Sequence, residues 1–111
     1  METQTRTMGI AWRLMAPSDS GGKVYTIAVI GNSMIVAWGR RTAAGPAGAG
    51  SQAKVEIFPS HAKALAAAMD RTVAKQERDY EMDVTPRQLD VTGRQPDGNT
   101  AGRILYYGVT V

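Results

Sequence analysis

Apolar and polar positions alternate over much of the first sixty residues, and that period of two predicts strands. Ile10, Trp12 and Leu14 share one side of a segment at 10–15, which ends at the loop-forming run Pro17-Ser18-Asp19-Ser20-Gly21-Gly22. Residues 23–30 are rich in β-branched side chains, with Tyr25, Ile27 and Val29 on one side. Gly31-Asn32-Ser33 reads as a tight turn. The strand after it, 34–38, places Met34, Val36 and Trp38 on one face and Ile35 and Ala37 on the other. Two such strands across so short a turn predict a hairpin. Residues 42–51, dominated by Gly and Ala around Pro46, predict a surface loop. A short strand at 54–58 follows, with Val55 and Ile57 expected inward and Lys54 and Glu56 outward.

The period then changes. Ser60 is a good N-cap, and the residues after it favour helix. Leu65, Met69 and Val73 recur at i, i+4 and i+8, and Tyr80 extends that stripe, so this face is expected against the sheet. Arg71, Lys75 and Arg78, mixed with Asp70, Glu77 and Asp79, are expected on the solvated side. Residues 83–100 carry Pro86, Gly93, Pro96 and Gly98 and predict a loose excursion, and 104–111 predict a terminal strand. The expected fold is α+β: a small antiparallel β-sheet packed against one amphipathic α-helix, with an extra C-terminal strand. Residues 1–82 form the main unit of this single domain, and 83–111 form an extension packed on it.

Composition narrows the function classes. Hydrophobic residues make up 43% of the chain, enough for a core and too many for disorder throughout. Cysteine is absent, which excludes disulfides, thiol nucleophiles and cysteine-ligated metal sites. No apolar run reaches the roughly 18–20 residues of a membrane span, and residues 1–7 lack the apolar stretch of a signal peptide. The cytoplasm of a bacterium or of a phage-infected cell is the expected compartment.

The net charge of +3 lies wholly in one half. Residues 1–60 hold six basic and three acidic side chains, whereas 61–111 hold seven of each. A one-sided positive potential suits an anionic partner.

Catalytic chemistry finds little to work with. The single histidine, His61, opens the helix, where a structural or solvent role is expected. The carboxylates of the helix and tail are spaced as a solvated face. Gly45-Pro46-Ala47-Gly48-Ala49-Gly50 lacks the lysine–hydroxyl ending of a phosphate-binding loop. No enzyme activity, cofactor or metal is expected.

The sharper signal is Trp38-Gly39-Arg40-Arg41. An aromatic face at a strand end beside two guanidinium groups can stack on a sugar or base while the cations take phosphate oxygens. Lys23 and Lys54 are further candidate phosphate contacts, and Trp12 is expected in the core.

In context these residues form a spaced series. Tyr25 lies in the first hairpin strand, followed by the Gly31-Asn32 turn, Trp38-Gly39-Arg40 and Gly45. Phe58 then precedes the capping Ser60, with Ala64 and Ala68 in the helix and Lys75 and Tyr80 near its end. That order resembles the WGR domain family, known from DNA-dependent poly(ADP-ribose) polymerases and from bacterial proteins. The resemblance runs from Trp12 to Met82, 71 of 111 residues. It implies DNA binding, especially near strand ends, with the tryptophan against a terminal nucleotide and the arginine also meeting neighbouring protein. It brings no transferase activity, because no catalytic domain is present. Arg41 and Thr42 depart from the family, which continues with a small apolar residue and a glycine, and the loop to Lys54 is longer. Either Arg41 adds a phosphate contact or the altered loop changes the ligand. The alternative function is a protein-interaction module, an adaptor or inhibitor that uses the sheet face or pairs through the terminal strand, including with a second copy.

Overall fold

The computed structural model describes residues 7–17, 22–40 and 52–92, with Arg40 described by its backbone. The described chain runs β1 (Met8–Ala16), β2 (Lys23–Ile30), β3 (Ser33–Arg40), β4 (Gln52–Ile57), α1 (His61–Gln76) and β5 (Glu81–Asp90). The strands form one antiparallel sheet in the order β4-β3-β2-β1-β5. This is the α+β arrangement of a small sheet and one helix, with β5 as its added C-terminal strand. The terminal strand expected at 104–111 lies outside the described residues.

The β2–β3 hairpin follows from its turn. Gly31 has φ +58, and Asn32 lacks a positive φ. Glycine at the first of two central positions is the pattern whose twist matches paired strands. Tyr25 thereby sits opposite Trp38, and Ile27 opposite Val36. His61 Nδ1 donates to the Gly31 carbonyl at 2.6 Å, so the histidine ties the start of the helix to this turn. It has the structural role expected of it.

Alternation gives the sheet two apolar faces. Trp12, Leu14, Tyr25, Ile27, Val29, Met34 and Val36 meet Ala64 and Ala68 of α1 in one buried cluster. Ala11, Ala28, Ile30, Ile35 and Val91 form a second on the opposite face. Trp12, expected in the core, is there: its indole Nε1 donates to Thr72 Oγ1 at 2.8 Å. That hydroxyl in turn donates to the Ala68 carbonyl at 2.8 Å. The buried polar pair is fully satisfied, as burial demands.

The helix begins as expected, with the Ser60 hydroxyl accepting from the Lys63 N–H at 3.2 Å. Its buried face differs from the expected one. Ala64, Ala68 and Thr72 face the sheet, whereas Met69 and Val73 remain 59% and 53% exposed. The shift of one residue is a rotation of about 100°. Alanine at the contact lets the helix axis approach over the large side chains of β2 and β3, which fill the space that Met69 and Val73 would need. Ala68→Leu is therefore expected to cost about 1–3 kcal/mol by overpacking. Met69→Lys should stay within about 0.5 kcal/mol of the parent. Urea unfolding midpoints of the two variants check this directly.

Two further expectations are corrected. Ile57, expected inward, is 76% exposed at the end of β4, and Lys54 and Glu56 lie on the helix-bearing face near Arg71. Residues 83–90, expected in a loose excursion, belong to β5, which pairs with β1 through two register irregularities. Pro86 falls where the pairing skips, on an outer strand that tolerates a missing donor. Arg13 fixes the pairing with Nε and Nη2 at 2.8 and 2.7 Å from Asp83 Oδ2.

Candidate nucleic-acid interface

The hairpin register sets the site. Tyr25 and Trp38 are partners across β2 and β3, and their rings stack with centroids 6.2 Å apart and planes at 21°. Tyr25 is buried and Trp38 half-buried. Tyr80 also packs on Tyr25, edge-on at 6.2 Å and 74°. Tyr80 is brought there by the end of the helix. Asp79 takes a left-handed φ of 69, and the Tyr80 N–H donates back to the Lys75 carbonyl at 3.2 Å. The turn reverses the chain within three residues of the last helical residue.

The rotation of α1 supplies the cations. Arg71 Nη1 donates to the Tyr25 hydroxyl at 3.1 Å, and Nη2 lies 3.4 Å from Glu56 Oε1. Lys54 Nζ reaches the same oxygen at 2.9 Å. One turn further along the helix, Lys75 Nζ stands 4.6 Å from the centroid of Tyr25 and 5.7 Å from that of Tyr80. Arg71 and Lys75 were expected in solvent; with Ala68 buried, helical spacing turns both toward the sheet. A signal existed in the sequence, since positions 64, 68, 71 and 75 share one helix face.

The electrostatics of this corner are one-sided. Lys54 and Arg71 share the Glu56 carboxylate, and the ammonium of Lys75 lies in the field of Arg71 and Arg78. Glu56 is held below the ordinary carboxylate range, first by its hydrogen bond from Lys54. Arg71 is held more firmly protonated, first by its hydrogen bond to Tyr25. Lys75 is pushed the other way: burial lowers its pKa, and the charges of Arg78 and Arg71 lower it further. Burial likewise raises the Tyr80 hydroxyl. Among the described residues no carboxylate comes within ion-pairing distance of Lys75. An ammonium whose positive form is disfavoured by its surroundings gains from a bound anion.

The candidates read from the sequence fall into three groups. Trp38 is in this corner, and Lys54 borders it through Glu56. Lys23 is exposed at the start of β2, paired with the backbone of Arg40 and two residues from Tyr25. The side chain of Arg40 and all of Arg41 lie outside the described residues. Among the described residues no group of three or more His, Asp or Glu side chains is placed to hold a metal ion. No described helix is long and apolar enough to cross a membrane. Compared with protein-family models, curated proteins and solved structures, the chain matches none.

Proposed function

We propose that the chain is a WGR-like nucleic-acid-binding module that takes DNA backbone or strand ends on the Trp38 corner. One observation carries the reading: a half-buried indole stacked on Tyr25, a ring that also holds Arg71 at its hydroxyl and Lys75 over its face. A braced ring offers its free surface to a base or sugar with little ordering cost, and stacking tolerates any base. Lys75, Arg71 and Lys54, with Lys23, Arg40 and Arg41 along the strand ends, then serve the phosphates. Contacts of this kind position a duplex or an end without reading its sequence. The order of hairpin, short strand and capped helix, with the Lys75 and Tyr80 pair closing it, supports the family resemblance.

The test is fluorescence anisotropy of labelled blunt duplex, nicked duplex and single-stranded DNA across a salt series. Binding should weaken log-linearly with salt, with a slope of about −0.9 per phosphate neutralised on duplex. No binding to any of the three at low salt would reject the proposal.

Lys75 adds a pH signature. In the free protein its lowered pKa means that folded chains hold fewer protons than unfolded ones in the alkaline window below the ordinary 10.5. The penalty for its charge is fully present below that window and is relieved as pH rises through it. A bound phosphate favours the ammonium form, so binding takes up a proton in the window and affinity falls as pH rises through it. Lys75→Met should flatten that part of the profile. An unchanged profile would remove Lys75 from the site.

A further inference from the structure

The sheet has two outer strands, and they are built differently. β5 carries Pro86 and two pairing irregularities, both of which blunt an edge against another strand. β4 has six residues in unbroken register with β3, without proline or glycine. The helix rests over β2 and β3 and reaches β4 through Arg71, which meets Glu56 on the face of the sheet and not at its edge.

The direction of β4's free groups follows from the ladder. Ile30 and Ser33 close the two-residue turn, so the odd-numbered residues of β3 direct their main-chain groups to β2 and the even-numbered ones to β4. The Phe58 N–H donates to the Asn32 carbonyl at 2.8 Å, in the same phase. With Met34 opposite Glu56 and Val36 opposite Lys54, those two residues of β4 spend their N–H and C=O on β3. Ala53, Val55 and Ile57 direct theirs outward, and among the described residues none takes them.

We infer that β4 pairs antiparallel with β4 of a second copy about a two-fold axis at Val55, joining two five-stranded sheets into one. Pairing centred there sets Val55 opposite the partner's Val55 and Ala53 opposite the partner's Ile57. It also sets Lys54 opposite the partner's Glu56, on the same face, and the same pair recurs by symmetry. The segment Lys54-Val55-Glu56 is thus charge-complementary to its own reverse, which an isologous contact requires. A lone lysine on an edge normally repels a second strand. Here Glu56, already 2.9 Å from Lys54 within one chain, supplies its counter-charge across the contact as well. Ile57, the most exposed of the described large apolar side chains at 76%, gains a neighbour in the partner's Ala53. The two helices fall on the same face of the joined sheet, and so do the two Trp38 corners. The pairing needs no nucleic acid, so it stands or falls apart from the proposed DNA binding.

Size-exclusion chromatography with light scattering, on the full chain free of nucleic acid over a concentration series, tests it. The mass should rise toward twice 11.9 kDa as concentration rises. Val55→Pro removes an outward-pointing N–H and leaves the ladder to β3 intact, so a folded monomer is expected, with circular dichroism checking the fold. Lys54→Glu opposes two like-charged pairs and should raise the dissociation constant at least about tenfold. The reversed pair Lys54→Glu with Glu56→Lys should restore the dimer. If Val55→Pro loses its fold, Lys54→Glu alone decides. A wild type that stays monomeric throughout, or a Lys54→Glu chain that dimerises unchanged, overturns the inference.

Discussion

Trp12→Ala is expected to cost about 3–5 kcal/mol, the usual loss for a truncated core tryptophan. That is a large share of the stability of a domain whose whole margin is on the order of 5–15 kcal/mol. The indole is 4% exposed and fills the space between β1 and the helix. Its N–H is also the only described link from the helix hydroxyl Thr72 to the sheet, at 2.8 Å. Thr72→Val separates the two contributions, because it keeps the volume and strands the indole N–H, at about 1–3 kcal/mol. Chemical denaturation of both variants gives the comparison. A Trp12→Ala chain within about 1 kcal/mol of the parent would mean that Trp12 does not pack under the helix as described.

That pair also shows where the sequence was readable. β1, β2 and β3 were legible because a period of two and a glycine turn each leave a clear mark, and the turn fixes the register that stacks Tyr25 on Trp38. The helix was legible as a helix, through Ser60 and the alanine-rich run, but its orientation was not. Periodicity weighs apolar bulk, and it chose Leu65, Met69 and Val73. The docking surface is instead the small residues Ala64 and Ala68, whose value lies in how closely they allow two backbones to approach, a property hydropathy does not record. The same rotation hid the cationic half of the site, since Arg71 and Lys75 reach Tyr25 only from this orientation. β5 was obscured for another reason. Glu81–Asp90 is mostly polar, contains Pro86 and is held by backbone pairing, the Arg13–Asp83 ion pair and the packing of Val84 and Leu89, whose spacing across an irregular pairing leaves no alternation to read.

The second large effect concerns Trp38. Trp38→Ala should weaken DNA binding about fivefold or more, in line with about 1–3 kcal/mol for a stacked base. The fold should survive the change: Trp38 is half-buried near the end of β3, and Tyr25 keeps its contacts with Arg71, Lys75 and Tyr80. Lys75→Met should lower affinity and reduce the salt slope by about one phosphate's share. A phosphate cation without a stacking partner would give the second effect alone. A change in affinity that tracks thermal stability across both variants would point to unfolding and not to the site.

The chain has two tryptophans, which permits a more direct measurement. In a Trp12→Phe chain, Trp38 is the sole indole, and its emission reports contact with a bound nucleotide. Titration with short duplex DNA at low salt is expected to quench that emission saturably. The midpoint should coincide with the anisotropy midpoint, and salt should reverse the quench. DNA that binds by anisotropy while the Trp38 emission stays unchanged would contradict the proposal that this indole is the nucleic-acid contact.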